Sequence, residues 1–327
     1  MSDHSKRSIT HTRARVHSPW PHRFALVTAA STLLLIFVGG LVTNTGAGLA
    51  VPDWPTTFGY NMFLYPWSQM VGGIFYEHSH RLIGSIVGLL TIVLATLLWV
   101  KESSRTARWL GVTAVGAVII QGVLGGLRVI LISVGNELAL THGLFAQAFF
   151  ALTASLVVLT SAEWTQRPRQ VVVADTGAIK RLCLLTTGCV YIQIFFGGML
   201  THIGDWILAH LVCAALVTFL VWRLAIRIFT PHSDQMKLAQ PVTLLIGLLV
   251  LQLLLGLGSY VNRFTSVEIP YAAFAQLALP TTHRITGALM LAVFIVLTLR
   301  AYRLPALRQA APARDCSPSG YAHDIHV

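Results

Sequence analysis

The stretch HRLIGSIVGLLTIVLATLLWV, residues 80–100, decides the fold. After Arg81 it carries no charge, and as an α-helix rising about 1.5 Å per residue it crosses the roughly 30 Å of bilayer hydrocarbon. Further stretches of that length and character lie at 25–43, 109–129, 140–161, 182–201, 206–228, 241–261 and 281–301. In lipid the backbone must satisfy its own N–H and C=O groups, so each stretch reads as a helix. Composition agrees: 55% of the 327 residues are hydrophobic and 11% charged, with a mean hydropathy of +0.69. A water-soluble globule cannot cover so much apolar surface. The reading is an all-α integral membrane protein of eight transmembrane helices.

The formal charge of +11 does not point to nucleic acid, because the basic residues form short clusters between apolar stretches. Lys6, Arg7, Arg13, Arg15 and Arg23 precede the first span. Lys101, Arg105 and Arg108 follow the second, and Arg167, Arg169, Lys180 and Arg181 the fourth. Arg223, Arg227 and Lys237 follow the sixth, and Arg300, Arg303, Arg308 and Arg314 the eighth. Only Arg81, Arg128, Arg263 and Arg284 fall on the other side. By the positive-inside rule both termini are cytoplasmic, which requires an even number of spans. Reading residues 1–48 as a cleaved signal peptide would leave seven spans with a reversed charge bias, and the apolar run is long for such a signal. Cys183, Cys189, Cys213 and Cys316 form no metal-binding pattern, and no disulfide is indicated.

The helices repeat. Odd-numbered ones end near small residues: Gly39-Gly40, then Gln121-Gly122-Val123-Leu124-Gly125-Gly126, then Gln193-Ile194-Phe195-Phe196-Gly197-Gly198, then Gln252-Leu253-Leu254-Leu255-Gly256 with Leu257 in place of the second glycine. Even-numbered ones each begin near a histidine: His80, His142, His210 and His283, two of them in His80-Arg81-Leu82-Ile83-Gly84 and His283-Arg284-Ile285-Thr286-Gly287. The expectation is two up-down four-helix bundles related by a pseudo-two-fold axis along the membrane normal. A basic cytoplasmic tail (1–24), an N-terminal bundle (25–165), a cytoplasmic linker (166–181), a C-terminal bundle (182–303) and a second cytoplasmic tail (304–327) follow.

A glycine pair alone reads as close helix packing, and a lone intramembrane histidine as an interhelical hydrogen bond or a functional group. Four histidines at one depth on alternate helices are harder to explain as packing. In an up-down bundle helices 2 and 4 are diagonal, as are 6 and 8, and facing imidazoles across a diagonal can ligate haem iron axially. Glycines on the intervening helices would let the macrocycle's edges slot between backbones. Zinc fits less well, since its sites gather three or four converging protein ligands. Arg81, Arg128, Arg263 and Arg284 read as headgroup anchors or as partners for haem propionates. Glu77, three residues before His80 and on its face, is either a carboxylate favoured by the helix dipole or a base beside the haem periphery. His78 reads as interfacial, His202 and Asp205 as solvated loop residues, and Trp54 as an interfacial anchor or part of a loop packed over a pocket. His4, His11, His17 and His22 carry no argument.

Over residues 25–301 the sequence resembles the haem A synthase family. The resemblance rests on the first glycine pair, Asp53-Trp54-Pro55, Glu77-His78-Ser79-His80-Arg81, His142, His210 and His283-Arg284. It implies an oxidoreductase that oxidises the C8 methyl of haem O through hydroxylated intermediates to the formyl group of haem A. His80 and His142 would flank the substrate haem, Glu77 would be the carboxylate needed for oxidation, and His210 and His283 would hold a resident haem b. Implied partners are haem O synthase upstream, haem-copper oxidases as users of the product, and an unidentified electron donor or acceptor. The location implied is the cytoplasmic membrane of a bacterium, with the haem sites towards its outer face. The basic, serine-containing N-terminal tail also reads as an organellar signal, although it is short and contains Asp3. Many bacterial members carry a cysteine pair in the first outer loop; here Thr56-Thr57-Phe58-Gly59 has none, so a thiol–disulfide step is not implied. A di-haem b-type electron-transfer cytochrome and a haem exporter or chaperone are the competing functions.

Overall fold

A computed structural model of the chain describes residues 18–165, 176–232, 236–267 and 271–303. Among these residues there are eight helices long and apolar enough to cross a membrane: α1 Trp20–Asn44, α2 Gly73–Lys101, α3 Arg105–Ile130, α4 Gly135–Leu159, α5 Thr176–His202, α6 Ile207–His232, α7 Met236–Phe264 and α8 Ala272–Arg303. The only pairing of extended backbone among them is an isolated bridge between Thr57 and Tyr60. This is an all-helical, multi-pass membrane protein. Lys6, Arg7, Arg13, Arg15, the histidines of the N-terminal tail other than His22, Arg167, Arg169, Arg308, Arg314 and Cys316 lie outside the described residues, as do most of both expected tails and residues 166–175 of the expected linker.

Three helices start six or more residues earlier than hydropathy predicts. α2 begins at Gly73 rather than 80, because Glu77 and Arg81, one turn apart, neutralise each other with Oε1 2.9 Å from Nη2 and let polar residues continue the helix. α8 begins at Ala272 rather than 281 and runs through Pro280, a residue that neighbouring helices let transmembrane helices tolerate. α5 takes in residues 176–181, assigned from sequence to the linker. Threonine hydroxyls inside the spans turn back on their own helices. Thr28 donates to the carbonyl of Phe24, Thr91 to that of Val87 and Thr186 to that of Leu182, each at 2.7 Å. No hydroxyl of these three faces lipid without a partner.

Consecutive helices α1 to α4 touch in a ring that α4 closes onto α1, and α5 to α8 do the same, with α8 closing onto α5. The two rings meet through α1 with α8, α4 with α8, and α4 with α5. Each ring has its own apolar core. One is built around Val87, Leu94, Leu98, Phe149 and Leu156, the other around Val221, Ile228, Leu245, Phe294 and Leu297. A third, smaller cluster of Ile36, Phe150 and Ala288 lies between them.

The connections are unequal. At the end where the even-numbered helices begin, hereafter the histidine end, α5 and α6 are joined by residues 203–206 alone, whereas Thr45 to Gly72 separate α1 from α2. At the opposite end Glu163 binds Lys237 Nζ at 3.0 Å and Arg300 Nη2 at 3.3 Å, and its carbonyl accepts from Arg303 Nη1 at 2.9 Å. The Lys237 hydrogen bond, helped by Arg300, outweighs burial and holds the Glu163 carboxyl below its usual range. These contacts fasten the start of the inter-bundle connection to α7 and α8.

Candidate functional site

The diagonal histidines meet. The rings of His80 on α2 and His142 on α4 lie 6.4 Å apart, centroid to centroid, at 73°. Those of His210 on α6 and His283 on α8 lie 6.3 Å apart at 59°. Each histidine is seated on a glycine of the preceding helix. A Cβ built on Gly39 would stand 3.0 Å from His80 Cε1, on Gly125 3.4 Å from His142, on Gly197 3.3 Å from His210, and on Gly256 3.0 Å from His283. The sequence reading assigned these glycines to the edges of a macrocycle; in the structure they receive the imidazoles.

The residue four before each seating glycine completes the unit. Gln252 accepts at its carbonyl from His283 Nδ1 at 3.1 Å, and its Nε2 lies 3.2 Å from His283 Nε2. A carbonyl only accepts, so the proton sits on Nδ1 and Nε2 keeps the lone pair, which is the tautomer a metal ligand needs. Gln193 Nε2 lies 3.1 and 3.2 Å from the two nitrogens of His210. The N-terminal pair is held more loosely. Gln121 donates only to the backbone carbonyl of His142, at 3.2 Å, and Leu35 stands where the other three helices have glutamine. The carbonyls of Leu35 and Gln121 face the His80 and His142 rings, but the Nδ1 atoms of both are buried without a hydrogen bond.

These features fit iron carried in a macrocycle. Two imidazoles on opposite sides of one metal ion, each at the usual ~2 Å, have ring centres roughly 6 Å apart. No third His, Cys, Asp or Glu joins either pair among the described residues, so a zinc site of three or four protein ligands does not fit.

The long connection roofs the N-terminal pair. Arg81 Nη1 donates to the carbonyls of Asp53 (2.7 Å) and Thr56 (3.0 Å), and Nη2 to that of Val51 (3.1 Å) and to Glu77 Oε1 (2.9 Å). Glu77 Oε2 accepts from the Val51 N–H at 2.9 Å. His78 is 1% exposed; its Nδ1 lies 3.1 Å from the Thr57 hydroxyl and its ring 5.1 Å from that of Tyr65. That corrects the interfacial reading: the side chain points away from the lipid, under the loop. Asp53 ties the loop's own turn, accepting from the N–H groups of Phe58 (2.7 Å) and Gly59 (2.8 Å) and from Thr56. Burial opposes its charge, but these hydrogen bonds win and lower its pKa. The loop rests on α3 at two places, the Trp54 ring against Gly126 and Gly48 against the Arg128 guanidinium. Trp54 is therefore packed over the bundle and only partly exposed.

The other candidates divide. Arg284 Nη1 lies 3.3 Å from the Thr43 hydroxyl and its Cδ lies against Gly40, so the arginine next to His283 reaches the helix that seats His80. Arg128 has no ion pair or hydrogen bond among the described residues. His202, read from sequence as solvated, is half-buried within electrostatic reach of Arg284, Arg128 and His142. Arg263 is exposed and lies over the ring of Phe264; the structure does not bring it to either pair. Asp205 is exposed, as expected. Of the residues that build the site, the sequence reading missed the ring-holding role of the glutamines, and Thr57 and Tyr65; that the first helix lacks the glutamine was visible in the repeat. The glutamines' fixed four-residue spacing before each glycine was the available signal.

Against known families, residues 22–209 match the COX15-CtaA family, described as a cytochrome oxidase assembly protein. The chain belongs to this family. Among curated members it is 33% identical over 185 residues to the haem A synthase of Shouchella clausii, a match covering 55% of this chain and 58% of the relative. It is 32% identical over 183 residues to that of Alkalihalophilus pseudofirmus (55% and 59%), and 24% identical over 206 residues to that of Methylobacterium radiotolerans (54% and 56%). The matched segments thus span less than three-fifths of these relatives. The family match takes in Glu77, His80 and His142 and stops one residue short of His210. Beyond the matched segment, then, the second pair rests on geometry: the same glycine seats and nearly the same ring separation as the first.

Proposed function

We propose that the chain is a haem A synthase of the bacterial cytoplasmic membrane, an oxidoreductase converting the C8 methyl of haem O to a formyl group through hydroxylated intermediates. The observation that carries this reading is the inequality of the two histidine pairs. One is buttressed by glutamine amides on both rings, which suits a resident haem b held by His210 and His283. The other lacks ring contacts from glutamine side chains and lies under a folded cap, which suits a haem that enters, reacts and leaves. The ring-on-ring contact pattern supports two bundles related by a pseudo-two-fold axis, and the charge bias supports cytoplasmic termini with the histidine end outward.

His80 and His142 would flank the substrate haem, and His210 and His283 would hold haem b, whose chemistry is one-electron transfer between the substrate site and an unidentified donor or acceptor. Arg128 and Arg284, whose guanidiniums form no ion pair among the described residues, are suited to pair with propionates. Arg81 is committed to the cap and Arg263 to the surface, so both are weaker partners. Glu77 would hold the cap through Val51 and Arg81 and supply the carboxylate for the oxidation, three residues from His80 on one helix face. Haem O synthase would supply the substrate and haem-copper oxidases would take the product.

Mass spectrometry of haems extracted from membranes co-expressing this chain with haem O synthase tests the reading, against a strain carrying the synthase alone and no endogenous haem A. A species at the mass of haem A or its hydroxylated precursor is expected. Unmodified haem O beside folded protein retaining haem b, with reductant supplied, would replace the proposal with a di-haem electron-transfer cytochrome.

The inequality itself is testable. Leu35→Gln should give His80 the amide contact that the other helices' glutamines provide. One added hydrogen bond contributes about 1 kcal/mol, so dissociation of haem from the N-terminal pair should slow about five-fold. Stopped-flow transfer of haem to an apo-globin acceptor measures it, and an unchanged rate would remove the glutamine argument.

A further inference from the structure

The outward side of the cap has no role in the proposed reaction. From Trp54 to Tyr76 the chain carries no Asp, Glu, Lys, Arg or His. Two tight turns of 3-10 helix, Met62–Leu64 and Trp67–Gln69, sort its side chains. Tyr65 and Met70 are buried, while Phe63 is 66% exposed, Leu64 76%, Trp67 78% and Val71 65%. The inward side is fixed, since Tyr65 packs on His78 and carries the rings of Phe58 and Tyr60 at 5.9 and 5.8 Å. Four large apolar side chains on the opposite side of a rigidly held loop mark a contact surface.

We propose that this surface is seated in the bilayer interface at the histidine end, as an uncharged aromatic and aliphatic foot. Continuity supports the assignment. Through Gly72 and Gly73 the segment runs directly into α2, whose outward side begins with exposed Phe75 and continues in Ile86 and Leu89, part of the apolar belt of the membrane spans. The mixture is right for that depth, where tryptophan and tyrosine rings lie at the headgroup level and aliphatic side chains just below it. The lack of any charged side chain over this stretch disfavours a charged soluble partner, whose recognition draws on complementary charge. The cap is then held from two sides, by Arg81, Glu77 and His78 beneath and by lipid at its edge. The proposal rests on the membrane fold and not on the haem reaction.

Leu64→Cys and Trp67→Cys, each in a Cys316→Ser background and carrying an environment-sensitive fluorophore, test it in phosphatidylcholine vesicles. Asp205→Cys, exposed in the short α5–α6 connection at the same end, is the reference, and the Cys316→Ser protein alone controls for labelling of the native cysteines. The foot predicts quenching by nitroxide lipids labelled near the headgroup that is several-fold stronger at 64 and 67 than at 205, with the order reversed for aqueous iodide. Iodide access at 64 and 67 equal to that at 205 would overturn the proposal. Shielding of both positions from both quenchers would also overturn it and assign the surface to a protein contact.

Discussion

Replacing Arg81 with methionine is expected to destabilise the purified protein by about 3–5 kcal/mol, the usual effect of removing one partner from a buried ion pair. The arginine and Glu77 side chains are 10% and 6% exposed, and the guanidinium also binds three loop carbonyls, those of Val51, Asp53 and Thr56. Methionine fills much of the stem but leaves Glu77 with only the Val51 N–H, and leaves the loop carbonyls without their donor. Thermal unfolding in detergent should register the loss, and limited proteolysis should cut faster between residues 56 and 72 than in the native protein, because the loop is no longer held to α2. Unchanged stability would mean that packing alone seats the cap. Glu77→Gln separates the clamp from the chemistry. The amide still accepts from Val51 and stays within reach of Arg81, so the cap should remain seated while conversion of haem O is lost. Conversion of haem O at the native rate by the Glu77→Gln protein would reduce Glu77 to a positioning residue.

How legible this site was in the sequence depended on whether a feature had a period. The spans and the charge bias repeat along the whole chain, and the histidines recur at one depth on alternate helices, so the pairing of His80 with His142 and of His210 with His283 could be inferred from the up-down order alone. Helix starts were read late at Gly73 and Ala272 because hydropathy stops at the first polar turn, whereas the Glu77–Arg81 pair and a tolerated Pro280 carry the backbone further. The cap was nearly illegible. Its joints link Thr57 to His78 across 21 positions and Arg81 to Val51 across 30, and no periodicity announces such contacts. His78 was therefore given to the interface when it is among the most enclosed polar side chains. Glycine pairs were read as space, but four glycines at matching positions each define where one ring goes.

His283→Ala should abolish essentially all haem retained through purification at the C-terminal pair, and His210→Ala should do the same, because neither imidazole alone provides the two-sided ligation that the 6.3 Å arrangement is built for. His80→Ala should leave that haem and its absorption spectrum in place, while abolishing conversion of haem O. The glycine seats extend the test beyond the ligands. Gly256→Leu directs a branched side chain at the place of the His283 ring, where a bare Cβ would already stand 3.0 Å from Cε1. It should therefore reproduce the His283→Ala spectrum with every ligand intact. Gly247→Leu, on the same helix with open space around its Cβ position, is the control for a general effect of leucine on α7, and should keep its haem. Identical spectral loss from all four histidine substitutions would argue against two separate sites. Haem loss in Gly247→Leu as severe as in Gly256→Leu would mean that α7 tolerates no added bulk, and that ring seating is not what glycine supplies there. The discriminating comparison is between two glycines of one helix, because only Gly256 touches an imidazole.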